Sequence, residues 1–361
     1  MSTRIVLLAN NIDEIGGAQR VVHALAAGFV NRGHDVTVVG IETREPRGDY
    51  SAAGYRVERL LEAAYDKDEG PNLDAQRAAA LQKLQKILDS GPKGIIITAQ
   101  VWAMEHIAQC AIQAWGTVGQ YHSSFQAASF GPDLKRVIDA YRDCDRFLAL
   151  TTSDAQLFTT AGLNNAAAMP NPLAQWPPRQ SQTRSRTITY LGRFSAEKAP
   201  MTLMHAWRIL VEAGQLSDWN LQFVGSGPHE GQIREAAAML PRVQLRDQVA
   251  DPFSVLTETG ILAVPSLVEG SPLVMMEALS CGVPVVASDC SAGVRELLAD
   301  ESCGVLVNRG DPKDLAHGLL MLALDDARRA SMAARGPQVM DGYRLEVVLD
   351  RWEQVFTDVL R

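Results

Sequence analysis

Two acidic side chains, Glu269 and Glu277, stand eight positions apart in residues 264–289, which read Val-Pro-Ser-Leu-Val-Glu-Gly-Ser-Pro-Leu-Val-Met-Met-Glu-Ala-Leu-Ser-Cys-Gly-Val-Pro-Val-Val-Ala-Ser-Asp. Ser271 is a good N-cap type and Pro272 suits a first helical turn, so the spacing predicts a helix beginning just after Glu269. At about 1.5 Å per residue the second carboxylate then lies about 8–10 Å further on, about the length of a sugar–diphosphate–ribose ligand. The alternative for such a pair is two solvated surface acids. A carboxylate beside a diphosphate is repelled by roughly 1 kcal/mol at 4 Å in water, and by several times more in a partly buried site. Cations are therefore required. Arg193 and Lys198, in Gly-Arg-Phe-Ser-Ala-Glu-Lys, supply a planar fork and a point charge, unless they are simply exposed surface charges.

Elements of defined order must carry these groups. Apolar runs at 261–264 and 283–287 read as buried strands on either side of the acidic helix, which makes a βαβ unit with Gly270 and Ser271 at its ligand-facing turn. Strand patterns also occur at 4–9, 36–41, 57–60, 95–98, 117–121 and 146–150, with helical patterns at 18–32, 73–88 and 101–113 between them. This alternation is the rhythm of a doubly wound parallel sheet. It restarts with strands at 187–191, 220–224, 243–245 and 305–307 and helices at 200–213, 252–258, 294–298 and 312–324.

The turn Ile15-Gly16-Gly17-Ala18 follows the first strand, and Gly225-Ser226-Gly227-Pro228 follows the strand at 220–224. Both suit close backbone approach to a ligand or ordinary turn chemistry, and neither completes a dinucleotide fingerprint. His122 follows the strand at 117–121, at the carboxyl edge where such sheets bind ligands, although a lone histidine is often structural. A proline-rich, polar stretch between 165 and 186 marks a linker. The expected organisation is an N-terminal Rossmann-like domain at 1–170, a linker at 171–186, a second Rossmann-like domain at 187–340 and a terminal helix at 341–361. That helix has a one-sided apolar face including Val348, Leu349, Trp352 and Phe356. Two such domains are expected to face each other across a cleft, the usual ligand site of this architecture.

The chain has 361 residues, 47% hydrophobic and 21% charged, and a net charge of −8, which argues against general nucleic-acid binding. No apolar run is long enough to span a bilayer, and no signal-peptide pattern opens the chain. Five cysteines, odd in number and without Cys-x-x-Cys spacing, read as thiols of a reducing compartment. The seven histidines show no metal-ligand clustering. The expectation is a cytoplasmic protein without a resident metal or cofactor. Basic residues Arg77, Lys83, Lys86, Lys135, Arg136, Arg142 and Arg146 form either a solvated helix face or a basic face of the N-terminal domain for an anionic acceptor or for peripheral membrane contact with anionic lipid.

The Arg193 to Lys198 loop, the Gly225 turn and above all the block around Glu269 and Glu277 resemble family 4 of the retaining glycosyltransferases, which have the GT-B fold. Gly16-Gly17-Ala18-Gln19-Arg20 is similar to the family's N-terminal glycine loop, and His122 sits where its active-site histidine would be. Gln19 stands where many relatives carry an acid, and Gly-Ser-Pro replaces the commoner Gly-Phe-Pro.

The resemblance implies transfer of a hexose or N-acetylhexosamine from a nucleoside diphosphate sugar to an acceptor hydroxyl, with retention and without a metal. A UDP-sugar is favoured over a GDP-sugar. It implies that Arg193 and Lys198 hold the diphosphate, that Glu269 contacts the sugar near its reacting carbon, and that Glu277 binds the ribose. Backbone from Gly270 through Ser271, Pro272 and Leu273, together with Gly225, would meet the donor, and Gly16 and Gly17 would face its diphosphate. His122 would bond the sugar or steady charge at the anomeric centre, and the final helix would return to the N-terminal domain. Acceptor identity and oligomeric state stay open, and bacterial cell-envelope glycosylation is the family-level expectation for the pathway. Other readings are a nucleotide-sugar epimerase or phosphorylase of the same shape, and a non-catalytic nucleotide-sugar-binding protein.

Overall fold

The computed structural model describes residues 2–14, 16–44, 54–64, 70–130, 133–181, 185–299 and 301–360. Ile15 of the first glycine turn and residues 182–184 of the expected linker lie outside them. The chain divides into two compact units, residues 1–174 with 343–361 and residues 175–342.

The first unit runs β1 (Arg4–Ala9), α1 (Gly17–Asn31), β2 (Asp35–Gly40), β3 (Arg56–Arg59), α2 (Gly70–Asp89), β4 (Ile95–Thr98), α3 (Val101–Ile107), β5 (Gly116–Tyr121), α4 (Phe125–Ser129), α5 (Asp133–Tyr141), β6 (Arg146–Ala149), α6 (Thr152–Thr160) and β7 (Ala166–Ala168). The second runs β8 (Thr187–Leu191), α7 (Pro200–Glu212), β9 (Asn220–Val224), α8 (Glu230–Ala238), β10 (Val243–Arg246), α9 (Phe253–Leu256), β11 (Ile261–Val264), α10 (Leu273–Ser280), β12 (Val285–Ser288), α11 (Ala292–Leu297), β13 (Gly304–Val307), α12 (Pro312–Leu324) and α13 (Asp326–Met340). Helix α14 (Leu345–Val359) closes the chain and belongs to the first unit.

Each unit is built on one parallel sheet, ordered β3-β2-β1-β4-β5-β6-β7 in the first and β10-β9-β8-β11-β12-β13 in the second. Helices cover both faces of such a sheet, so its central strands must be apolar on both sides. Strands β1, β4, β11 and β12 are accordingly buried along their whole length. In both sheets the strand order reverses direction beside the first strand of the unit, between β1 and β4 and between β8 and β11. The loops leaving those strands diverge there, which is where doubly wound folds take ligands. Phe147, Tyr141 and Phe158 sit in the core of the first unit, and Trp207, Trp219 and Phe223 in that of the second.

Helix α14 packs on α1. Gly28 lets it approach, since a Cβ there would stand 2.6 Å from Leu349 Cδ1. Phe29 meets Trp352 and Phe356 with ring centroids 6.0 and 5.1 Å away. The buried face is Val348, Leu349, Trp352 and Phe356, whereas Leu360 is exposed. Leu173 N–H donates to the Tyr343 carbonyl at 2.7 Å, tying the departing and returning chain together.

Several expectations need correction. Helix α3 ends at Ile107, well short of residue 113, because Gln109 and Cys110 bond back only three residues, to His106 and Ile107. Helix α13, for which the sequence reading offered no element, runs through both Gly336 and Pro337. Gly336 is required there, because a Cβ would lie 2.5 Å from the Leu279 carbonyl oxygen of α10. Residues Asn171, Pro172 and Leu173, expected in the linker, are buried in the first unit.

Candidate active site

In the second unit the loop leaving β8 carries Arg193 to Lys198, and the loop leaving β11 carries Glu269 to Pro272. Leu267 N–H donates to the Glu197 carbonyl at 2.7 Å, which ties the two loops together. Lys198 Nζ lies 2.7 Å from both oxygens of Glu269. The Lys198 side chain is 32% exposed and that of Glu269 7%, so this is a half-buried ion pair open on the lysine side. Ser266 Oγ donates to Glu269 Oε1 at 2.8 Å. The carboxylate is thus oriented from two directions before any ligand arrives. Arg193 is exposed on the same loop, and the Tyr190 hydroxyl fixes its backbone by donating to its carbonyl at 2.6 Å.

The charges on these loops act on their neighbours. Burial alone would raise the Glu197 carboxyl, but the Ser195 hydroxyl at 2.5 Å and the charges of Lys198 and Arg193 hold it below its usual value. Burial, reinforced by Glu269 and Glu197, raises the Tyr190 phenol, which stays protonated. Burial, with Glu269 adding to it, pushes the Cys290 thiol up to about 12.

The helix start differs from expectation. Pro272 is the N-cap of α10, with φ −73° and ψ 116°, and the first helical residue is Leu273. Extended backbone at Pro272 places Ser271 outside the helix, so Ser271 does not cap it and Pro272 is not in its first turn. The Pro272 carbonyl accepts from Met275 and Met276. Leu273 and Val274 therefore present first-turn N–H groups of the kind that receive anions. Glu277 is 4% exposed in the second turn of α10. Gly270 is held from behind: Ser291 Oγ donates to its carbonyl at 3.2 Å, and a Cβ on Gly293 would lie 2.0 Å from that oxygen. Gly225 has φ +149°, and its Cβ would lie 2.0 Å from the Gly192 carbonyl, so this glycine lets the loop after β9 pack against the one after β8.

In the first unit, Gly16 is the N-cap of α1 and Gly17 its first residue, with no acidic side chain in the first turn. Gln19 is buried, with its amide oxygen folded against Gly16. The preceding loop is held by Asn11, whose side-chain oxygen accepts from Asp13 N–H at 2.7 Å, and by Asp13, which takes a two-pronged ion pair from Arg59 at 2.6 and 3.0 Å. His122 leaves the carboxyl end of β5. Its Nδ1 lies 3.1 Å from Asn171 Oδ1, and its Nε2 is shielded from solvent although the residue as a whole is only half-buried. Burial, partly opposed by Asn171, pulls the imidazole down to about 4, so the ring is neutral at physiological pH.

Sequence reasoning assigned no role to Ser266, Ser291, Gly293 or Asn171. Ser266 sits three residues before Glu269 and Asn171 lies between two prolines; only those spacings could have marked them. The basic residues of the first unit lie on a surface of mixed charge. Arg136 pairs with Glu105 at 2.7 Å, Lys135 and Arg142 with Asp139 at 2.5 and 2.8 Å, and Lys83 donates to the Arg59 carbonyl at 2.6 Å. A cavity of about 540 Å³, lined in part by Met104, Ile107, Thr117 and Cys144, opens at the amino end of β5, at the opposite edge of the sheet from His122. No group of His, Cys, Asp and Glu residues among the described residues could hold a metal ion, and no described helix is long and apolar enough to cross a membrane.

Two Rossmann-like units in one chain are the architecture of the GT-B fold. A solved structure of Anabaena Alr3699/HepE in complex with UDP superposes with a TM-score of 0.81 and 17% identity, covering 98% of this chain and 99% of that one. Residues 15–173 match the model for Glycosyltransferase Family 4 and residues 185–325 that for Glycosyl transferases group 1. The chain belongs to this glycosyltransferase family. A Haemophilus influenzae protein named only as an uncharacterized glycosyltransferase is 25% identical over 96% of this chain and 97% of its own length. The amylovoran biosynthesis glycosyltransferase AmsD of Erwinia amylovora is 22% identical over 98% and 99%.

Proposed function

We propose that this glycosyltransferase moves a hexose or N-acetylhexosamine from a UDP-sugar to an acceptor hydroxyl, with retention of anomeric configuration and without a resident metal. The observation that carries the reading is the paired Lys198 and Glu269 at the carboxyl edge of the second sheet, with Arg193 on the same loop. A donor diphosphate attracts both cations and the first-turn N–H groups of α10, and their positive charge stabilises the leaving group as the glycosidic bond breaks. Lys198 is then shared between phosphate and Glu269. The carboxylate turns its freed acceptor capacity to hydroxyls of the transferred sugar, while Glu277 receives those of the ribose. The favoured chemistry is attack on the same face of the sugar, with the leaving phosphate assisting removal of the acceptor proton. The Anabaena neighbour, solved with UDP-glucose as well as UDP, supports a uridine donor. The Erwinia relative named for amylovoran biosynthesis supports a role in bacterial cell-envelope glycosylation, with the enzyme in the cytoplasm.

The decisive experiment is NMR of the product formed from a UDP-sugar, after a thermal-shift panel of nucleoside diphosphates and their sugars has selected the donor. An axial donor linkage should give an axial product; an inverted product refutes retention. Glu269→Ala should lower kcat by orders of magnitude, and wild-type turnover in that variant would remove Glu269 from the mechanism. Activity should survive a chelator, and strict dependence on a divalent ion counts against diphosphate neutralisation by Arg193 and Lys198.

A further inference from the structure

The contact between His122 and Asn171 determines what kind of group the histidine can bind. Asn171 is 4% exposed, and its Oδ1 stands 3.1 Å from His122 Nδ1. An amide oxygen only accepts, so the ring carries its proton on Nδ1 and donates it to Asn171. The other nitrogen, Nε2, is then a bare lone pair, shielded from solvent and without a partner among the described residues. Buried polar atoms are ordinarily satisfied, and one that is not, at the carboxyl edge of a doubly wound sheet, points to a ligand donor.

We infer that Asn171 is a positioning residue that fixes His122 as a hydrogen-bond acceptor for a hydroxyl of the substrate, carried either by the donor sugar or by the acceptor. The inference rests on the glycosyltransferase reading for the identity of the substrate, but not for the state of the ring. Burial is the main influence on the imidazole, and Asn171 is the one side chain that opposes it; no ionised group acts on it among the described residues. The acids near this loop, Asp133 on α5 and Asp154 on α6, act on Tyr121 at the end of β5. Asp154 is further engaged by the Phe125 N–H at 2.9 Å and the Thr151 hydroxyl at 2.8 Å. A neutral amide at position 171 keeps the ring uncharged and sets its tautomer. A carboxylate there would favour the imidazolium and turn Nε2 into a donor, unable to receive a hydroxyl proton.

The test has a spectroscopic arm and a kinetic arm, both on the full chain. Long-range proton–nitrogen NMR of histidine-labelled protein should show His122 as the Nδ1-protonated neutral tautomer at pH 6 and above. An Nε2-protonated ring or an imidazolium overturns the inference, whether or not a transferase assay has succeeded. In the kinetic arm, kcat/KM for a neutral UDP-sugar is followed from pH 5.5 to 9. Asn171→Asp should lose at least tenfold relative to the wild type at pH 6 and recover towards alkaline pH, while its UDP affinity stays within about twofold. Asn171→Ala should lose several-fold with no new pH dependence. A higher KM for the donor places the hydroxyl on the sugar, and a higher KM for the acceptor places it there. An Asn171→Asp profile parallel to that of the wild type refutes the positioning role. Should that variant fail to fold, the wild-type NMR spectrum alone decides.

Discussion

Removing Lys198 should expose how far Glu269 depends on it. At 2.7 Å and an effective dielectric of about 20, the Coulomb attraction is roughly 6 kcal/mol before desolvation is counted. Burying Glu269 opposes it, and the 32% exposure of Lys198 lets water screen the pair. Breaking a fully buried pair typically costs about 3–5 kcal/mol, so about 2 kcal/mol is expected for this half-buried one. Lys198→Met leaves a carboxylate with only the Ser266 hydroxyl as a donor from this set. Glu269→Gln keeps the shape of the side chain and removes the charge. The assay is a double-mutant cycle in urea, with the linear slope checked in each variant so that changes in midpoint report stability. The two changes should couple by about 2 kcal/mol, with the double variant more stable than Lys198→Met alone. Additivity within about 0.5 kcal/mol refutes the argument that the pair orients Glu269, whatever the effect of either change on turnover.

Other expectations follow from single contacts. Gly293→Ala places a Cβ 2.0 Å from the Gly270 carbonyl, so it should cost about 1–3 kcal/mol and displace the loop carrying Glu269, read as lost stability together with lost UDP binding; unchanged binding refutes the role of Gly293 in holding the loop. Trp352→Ala removes a fully buried ring from the α14 face against Phe29 and should cost about 3–5 kcal/mol by denaturation, and a loss below 1 kcal/mol refutes the packing argument. Burial pushes the Cys281 and Cys290 thiols up to about 12, so neither should react with a disulfide reagent at pH 8 until the chain is unfolded. His122 has its folded pKa lowered to about 4 from the usual 6.5, so the unfolded chain takes the proton first as pH falls. Its stabilising contribution is complete above about pH 6.5 and declines towards pH 4, by about 3 kcal/mol at most. His122→Gln should flatten that part of the stability profile, and an unchanged slope between pH 6.5 and 4 refutes it.

The elements that carry the candidate site were legible because their signals are local. Continuous apolar runs mark β1, β4, β11 and β12, and a strand followed by a loop and a helix places Arg193, Lys198, Glu269 and His122 at carboxyl ends of strands. Where local rules conflict with packing, they mislead. Glycine and proline are poor helix formers, yet Gly336 and Pro337 lie inside α13, which packs against α10, and only glycine fits beside the Leu279 carbonyl. Ser271 followed by proline reads as a cap, but extended backbone at Pro272 moves the helix start to Leu273.

By itself the sequence determined two doubly wound halves and which acids and cations follow the ends of their strands, because periodicity and residue type need no knowledge of distant neighbours. Only the tertiary structure decided which groups meet. Lys198 reaches Glu269 across 71 positions because β8 and β11 are adjacent in the sheet, and Asn171 reaches His122 across 49 because the chain leaving β7 folds back into the first unit. Those partners orient the carboxylate and set the tautomer of the ring. Pairing at such separation follows from strand order and register, which no local stretch of sequence specifies.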